Sequence, residues 1–288
     1  MAHVLLELET PLMRGPAVRR LQETGVALGF DFGRVDGVFG ENTERGVRAA
    51  QTALGLVDTG ICDEATWRAL ETRLAESTAP AASAGPAPTL GSRIVDRRAA
   101  HEGAKGWPKR AWSSIRGVTL HQTGVRLSNA PLRWDTVHAH AGITEDGTAI
   151  LVNDPTVVAP HGNGLNGSTI GIEICGNFRG IEEKPGTHWR GGGEATSLSD
   201  AQKAALEELF AWLAGEFERH GATWRTVHAH RQASASREAD PGSKVWHEIA
   251  MPWMQRLGAT DGGPKFKVGK GRTIPKQWNP DYTDNYWS

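Results

Sequence analysis

Residues 76–91 read Glu-Ser-Thr-Ala-Pro-Ala-Ala-Ser-Ala-Gly-Pro-Ala-Pro-Thr-Leu-Gly. Small residues interrupted by Pro80, Pro86 and Pro88 bury too little apolar surface to offset the entropy of ordering them. The stretch therefore reads as a linker. It divides the 288-residue chain into units that must each build their own core. The expected organisation is a small unit over 1–75, the linker over 76–91, a larger unit over 92–260 and a tail over 261–288.

The small unit reads as three short helices joined by turns. Gly15-Pro16 precedes a segment, Ala17–Leu28, in which Val18, Leu21 and Leu28 form a helical stripe. Asp36-Gly37 is a turn signal, because glycine accepts the positive φ such a turn requires. Asn42 or Thr43 is placed to cap a second helix, Glu44–Leu54, which Gly55 ends. Asp58-Thr-Gly60 is a further turn, and Cys62–Leu70 reads as the third helix. The fold expected for this part is a small all-α domain.

The larger unit alternates strands and helices. Gly117–His121, Thr148–Val152 and Ser168–Ile174 read as short strands. Ser199-Asp-Ala-Gln202 is a capping box opening a helix to about Arg219, with Leu206, Leu209, Phe210, Leu213 and Phe217 on one stripe. Ala222–His228 returns as a strand. This predicts an α/β domain with a mixed central sheet flanked by helices.

Ligand-type side chains stand at the ends of these strands. His121 closes the first, and the stretch Thr226–Gly242 sets His230 and Asp240 ten positions apart. Two imidazoles and one carboxylate leave a fourth position on zinc for water, which distinguishes a catalytic zinc site from a closed structural one. His228 shares the strand parity of His230 and competes with it at this level of reading. Within Ser168–Ile174 the isoleucines 170, 172 and 174 share one face, so Glu173 lies on the other.

Composition narrows the remaining classes. A formal net charge of −1 argues against a whole-molecule nucleic-acid binder. No run of eighteen apolar residues is present, so no membrane span is expected. The first ten residues lack the cationic and apolar segments of a signal peptide, so synthesis in the cytoplasm is expected, with delivery to any outside target by other means. Cys62 and Cys175 fall in different expected domains and read as reduced, buried thiols.

Two resemblances give these features a context. Gly15-Pro-Ala-Val18, Leu21-Gln22, Val35-Asp-Gly-Val-Phe-Gly40, Gly55-Leu56, Thr59-Gly60 and Ala65-Thr66-Trp67 resemble the three-helix peptidoglycan-binding domain of many cell-wall hydrolases. Four ordered segments of the larger unit resemble the zinc-dependent N-acetylmuramoyl-L-alanine amidases, a family that includes phage endolysins, anhydromuramyl amidases and peptidoglycan-recognition proteins. They are Thr119–Thr123, His140–Gly147, His161–Ser168 running into Ile170-Gly-Ile-Glu173, and Ala229-His230 through Asp240-Pro-Gly242.

That second resemblance implies Zn²⁺ on His121, His230 and Asp240, and its ten-residue spacing favours His230 over His228. It implies Glu173 as the general base, and places His161 and Asn166 in the substrate groove. His140 is expected to pack beneath the site. The family's lysine two residues before the third ligand is replaced by Glu238, so Arg237 is the candidate for the positive charge. The family's occasional tyrosine before the histidine matching His140 is Ala139.

The implied reaction cleaves the bond between the lactyl group of N-acetylmuramic acid and L-alanine of bacterial peptidoglycan. The expected protein is a monomer that acts on the cell wall, as a phage endolysin. The alternatives are a secreted antibacterial amidase effector, a non-catalytic peptidoglycan-binding receptor, or a recycling amidase for soluble fragments. The tail is locally basic and aromatic, and reads as a strap on the larger domain or as disorder.

Overall fold

The computed structural model describes residues 4–78, 88–101, 106–189 and 193–287. Three helices come first: α1 (Pro16–Ala27), α2 (Glu41–Ala53) and α3 (Glu64–Thr78). They close around a core in which Leu21, Phe32, Phe39, Val47 and Leu70 are fully buried.

Two buried glutamines organise the connections of this domain in the same way. Gln22 on α1 donates to Asp36 Oδ1, Val38 O and Thr43 Oγ1, and accepts from Gly37 N. Gln51 on α2 donates to Thr59 Oγ1, Ile61 O and Thr66 Oγ1, and accepts from the amides of Thr59 and Gly60. Each glutamine thus satisfies the turn that follows its helix and grips the first turn of the next helix. The pattern Gln, Asp-containing turn, Thr occurs twice.

Two boundaries differ from the expectations. α2 begins at Glu41 behind Gly40, with no side-chain cap, because Thr43 lies inside the helix and its hydroxyl serves Gln22. α3 begins two residues after Cys62, which instead bridges to Leu6, and Asp63 accepts from Thr66 N at its start. That helix runs to Thr78, past the expected domain end at 75, and residues 79–87 of the expected linker lie outside the described residues.

The larger domain is a six-stranded mixed sheet in the order β1-β4-β3-β5-β2-β6. The strands are β1 (Ile94–Asp96), β2 (Gly117–Gln122), β3 (Ala141–Ile143), β4 (Ala149–Leu151), β5 (Thr169–Ile174) and β6 (Thr226–Ala229). β3 and β4 pair antiparallel across the turn at Asp146-Gly147, and the other pairs are parallel. β5, β2 and β6, at one end of this order, are almost wholly buried, as parallel strands covered on both faces must be. α4 (Asp200–Arg219) starts at the Ser199/Gln202 capping box and lays Leu206, Leu209, Phe210, Leu213 and Phe217 into the core. Trp134 covers the opposite face with Ile150 and Val152, and Gly142 lets its ring lie flat on β3, since a Cβ there would meet the indole at 2.0 Å.

The tail is a strap packed on this domain. Ile274, Trp278 and Tyr286 are buried in its core. The strap's anchor is Arg231, fully buried, with its guanidinium 5.2 Å from the Trp278 ring centroid and 5.1 Å from that of Tyr286. It donates to the carbonyls of Thr273, Glu238 and Tyr286. Burial lowers its pKa to about 10, which still leaves it charged at neutral pH. Among the described residues, no helix is long and apolar enough to cross a membrane.

Two predictions follow from this packing. Arg231→Ala strands three carbonyls and opens a cavity, so it should lower the stability of the larger domain by about 3 kcal/mol or more, read from the urea midpoint. A loss under about 1 kcal/mol would contradict the anchoring role. Cys62 and Cys175 are buried free thiols whose pKa burial raises, so a thiol reagent should label neither until denaturant is added.

Candidate metal centre

Strand register assembles the site. β2 pairs with β5 so that His121 lies opposite Glu173. β2 pairs with β6 through Leu120 and Ala229, and the next residue of that chain is His230, which opens a 3-10 turn. Three neighbouring strand ends therefore carry His121, Glu173 and His230 side by side. Asp240 arrives from the loop after β6, and Gln122 fixes that loop. Its backbone N–H donates to Asp240 Oδ1 at 2.9 Å, and its side chain donates to Ala239 O and Phe178 O while accepting from Phe178 N.

His121, His230 and Asp240 each offer a ligand atom, and all three atoms lie within 4.8 Å of one another. His230 Nδ1 stands 3.0 Å from Asp240 Oδ2, and the rings of His121 and His230 are 4.4 Å apart. His228 stays out of the set: it stacks on Phe266 of the strap and meets Gln232 Oε1.

Hydrogen bonds settle which nitrogen of His121 is available. His161 Nε2 lies 3.1 Å from Thr169 O, which can only accept, so that nitrogen carries the proton. His161 Nδ1 is then an acceptor and takes the Nε2–H of His121 at 3.1 Å. His121 Nδ1 is left bare, buried and without a hydrogen-bond partner. Burial, the main cause, together with neighbouring cations holds both imidazoles well below their ordinary pKa and therefore neutral. The buried lone pair of His121 with no donor, the imidazole of His230 and the Asp240 carboxylate with one oxygen already fixed make a donor set that fits a zinc ion, whose ligands sit about 2.0–2.2 Å from the metal.

Glu173 lies beside this set, with Oε1 3.9 Å from His121 Nδ1 and Oε2 buried and unpartnered. Its side chain is 19% exposed, yet desolvation of the carboxyl, helped by the nearby Asp240 charge, pushes its pKa up to about 8. The Arg237 charge pulls the other way on Glu173. The Arg237 guanidinium sits 4.6 Å over the Trp189 ring in a cleft that Gln122 and Asp240 also line. Glu238 is committed to Arg272 of the strap at 2.5 Å.

The other expected site residues stand elsewhere. His161 is buried, with both nitrogens engaged, and packs on Gly171, where a Cβ would come within 2.4 Å of its ring. Asn166 holds Gly162 N with its side chain and lines a different cleft with Trp107, Pro160 and Arg34. His140 lies beneath the site, donating to Val157 O and accepting from Gly171 N. Sequence reasoning assigned no role to Gln122, Arg231, Trp189 or Trp287. Position alone could have flagged the first two, each next to a ligand histidine.

Comparison with protein families finds that residues 111–243 match N-acetylmuramoyl-L-alanine amidase and residues 14–70 match the peptidoglycan binding domain. No curated protein matches the chain. Among solved structures, N-acetylmuramoyl-L-alanine amidase LysC from Clostridium intestinale URNW is 18% identical, over 58% of this chain and 97% of its own, with a TM-score of 0.38. The Ph2119 endolysin from the Thermus scotoductus MAT2119 bacteriophage Ph2119 is 16% identical, over 58% and 99%, with a TM-score of 0.40. Drosophila PGRP-LB is 18% identical, over 47% and 79%, with a TM-score of 0.35. On the family matches, the chain joins a peptidoglycan binding domain to a domain of the N-acetylmuramoyl-L-alanine amidase family.

Proposed function

We propose that this chain is a zinc-dependent peptidoglycan hydrolase that cleaves the amide between the lactyl group of N-acetylmuramic acid and the first L-alanine of the stem peptide. The observation that carries the reading is the convergence of His121, His230 and Asp240 beside the Glu173 carboxyl. Zinc on His121 Nδ1, His230 and Asp240 would supply Lewis acidity toward the scissile carbonyl and toward water.

The chain's own residues supply the proton traffic. Glu173 takes the proton of the attacking water and returns it to the leaving amine, a double task for which its place beside the ligand set suits it. Arg237 supports the negative charge that develops on the carbonyl oxygen, in place of the lysine the family carries at position 238. Glu238 is neutralised by Arg272 and so does not oppose that charge. The peptidoglycan binding domain supports action on the assembled wall, and a lytic, endolysin-like role is the form we propose.

The direct test incubates zinc-loaded protein with purified sacculi and follows the fragments by mass spectrometry. New muramoyl carboxyls paired with free L-alanine amino termini are expected; intact amides after exhaustive digestion would leave a wall-binding receptor as the reading. Comparing sacculi with soluble muropeptides separates the lytic from the recycling role.

Four variants test the assignments. Asp240→Ala should lose both zinc and activity, whereas Glu173→Gln should keep zinc and lose turnover. A fully active Glu173→Gln would remove the base from the scheme. Arg237→Ala should lower kcat about a hundredfold with zinc retained. His161→Gln should weaken zinc binding about 10- to 100-fold in a chelator competition, because the tautomer and orientation of His121 are then no longer fixed. Unchanged affinity would show that His161 does not act through His121.

A further inference from the structure

The cleft beside Asp240 has a volume of about 450 Å³, and one of its walls comes from the strap. That wall is Trp287, which is 60% exposed. Trp189 faces the same cleft and is 38% exposed. Exposed indoles are costly to leave in water, and here two of them line one concavity.

The position of Trp287 is fixed from both sides. The preceding Tyr286 is buried, its hydroxyl donates to Thr187 O at 3.0 Å, and its ring packs edge-on to Trp287 at 4.6 Å. Arg231 holds the carbonyl of Tyr286, and Arg272 donates to the carbonyl of Trp287. Arg272 also grips Ala235 O and Glu238 in the loop that carries Asp240. The indole is thus presented by a rigid backbone that is laced to the metal-ligand loop.

Polar atoms in the same cleft lack partners. His188 Nδ1 is buried without a hydrogen bond. The Arg237 guanidinium stacks on Trp189, and among the described residues its donors meet no acceptor. A ligand that fits offers a flat C–H face to an indole and hydroxyl or amide groups at its edge. Within peptidoglycan, only the amino-sugar rings do both, since the stem peptide is aliphatic and acidic.

We propose that Trp287 is a saccharide-stacking residue of the amidase cleft, so that the C-terminal strap forms part of the substrate site and receives the muramoyl sugar next to the scissile amide. This rests on the peptidoglycan reading above. The strap lies outside the 111–243 segment that matches the amidase family, so this wall belongs to this chain's own extension.

The test measures binding rather than turnover, which separates its failure from failure of the amidase reading. Zinc-loaded full-length Glu173→Gln protein is titrated with a GlcNAc-MurNAc-tripeptide and with the free tripeptide. Adding Trp287→Ala should weaken the disaccharide ligand about tenfold and leave the free tripeptide unchanged, and Trp287→Tyr should restore most of the affinity. Zinc content should be equal in all variants. Equal affinity with and without the indole overturns the proposal, as does an equal loss for both ligands or no rescue by tyrosine. Failure of the parent to bind the disaccharide ligand at all overturns it too. Wild-type protein that leaves the amide of sacculi intact while the indole effect persists overturns only the amidase reading.

Discussion

The pairing of β2 with β5 on one side and β6 on the other is the constraint on which the site depends. Parallel strands in register bring residues distant in sequence to one edge with no choice of spacing, because each ladder position fixes its neighbours. His121 faces Glu173 across one ladder, and His230 follows directly on the last pair of the other. A slip of one residue in either ladder would turn the ligand to the opposite face of the sheet. Val118 and Leu120 of β2, Ile170, Ile172 and Ile174 of β5 and Val227 of β6 share one face in the core and oppose such a slip, because it would exchange them for the polar side chains of the other face. Core packing and site geometry are therefore one specification.

The second layer of the site consists of residues that never need to touch a substrate. Gln122 ties β2 to the Asp240 loop, and the Thr169–His161–His121 chain presents one bare nitrogen. Thr169 O also accepts from Arg110, a buried guanidinium that holds Pro155 O and Asn166 O as well, so the end of the chain is itself braced. Arg231 does the equivalent on the other side, joining the residue after a ligand histidine to the strap. The ligand set is thereby held by backbone carbonyls of several separate segments rather than by the loop that bears Asp240 alone.

Much of this was legible in the sequence, and the reasons differ by residue. The linker, the α4 capping box and the isoleucine alternation of β5 are local signals, and local signals survive being read one window at a time. His121, Glu173 and His230 sit at or next to strand ends, where period is informative, and the resemblance to the amidases supplied their pairing with Asp240 and the choice of His230 over His228. His161 is expected in the substrate groove but lies buried against His121, because whether an imidazole in a loop faces a groove or a neighbouring ring is decided by tertiary contacts. The same holds for the tail. Its basic and aromatic composition allowed a strap or disorder, and what it did not give is the partner, since Trp278 and Tyr286 are buried on Arg231, about fifty residues away in sequence. Thr43 shows the local version of the problem: a residue with good capping chemistry was taken by Gln22, and the helix starts at Glu41, three residues before the expected Glu44.

Burial of the imidazoles has a chemical consequence that exposure would not give. A histidine must lose its proton to bind a metal, and in water near neutral pH that competition is real because the ordinary pKa is close by. Folding removes the competition for His121, since desolvation keeps the ring neutral and the His161 contact consumes its only N–H. Glu173 pays the opposite tendency, holding a proton longer than a carboxyl in water would. The same desolvated pocket therefore frees a lone pair on the ligand and raises the proton affinity of the neighbouring carboxylate. Two groups 3.9 Å apart are thus pushed in opposite directions, the imidazole toward giving up a proton and the carboxylate toward accepting one, as ligand and general base each require.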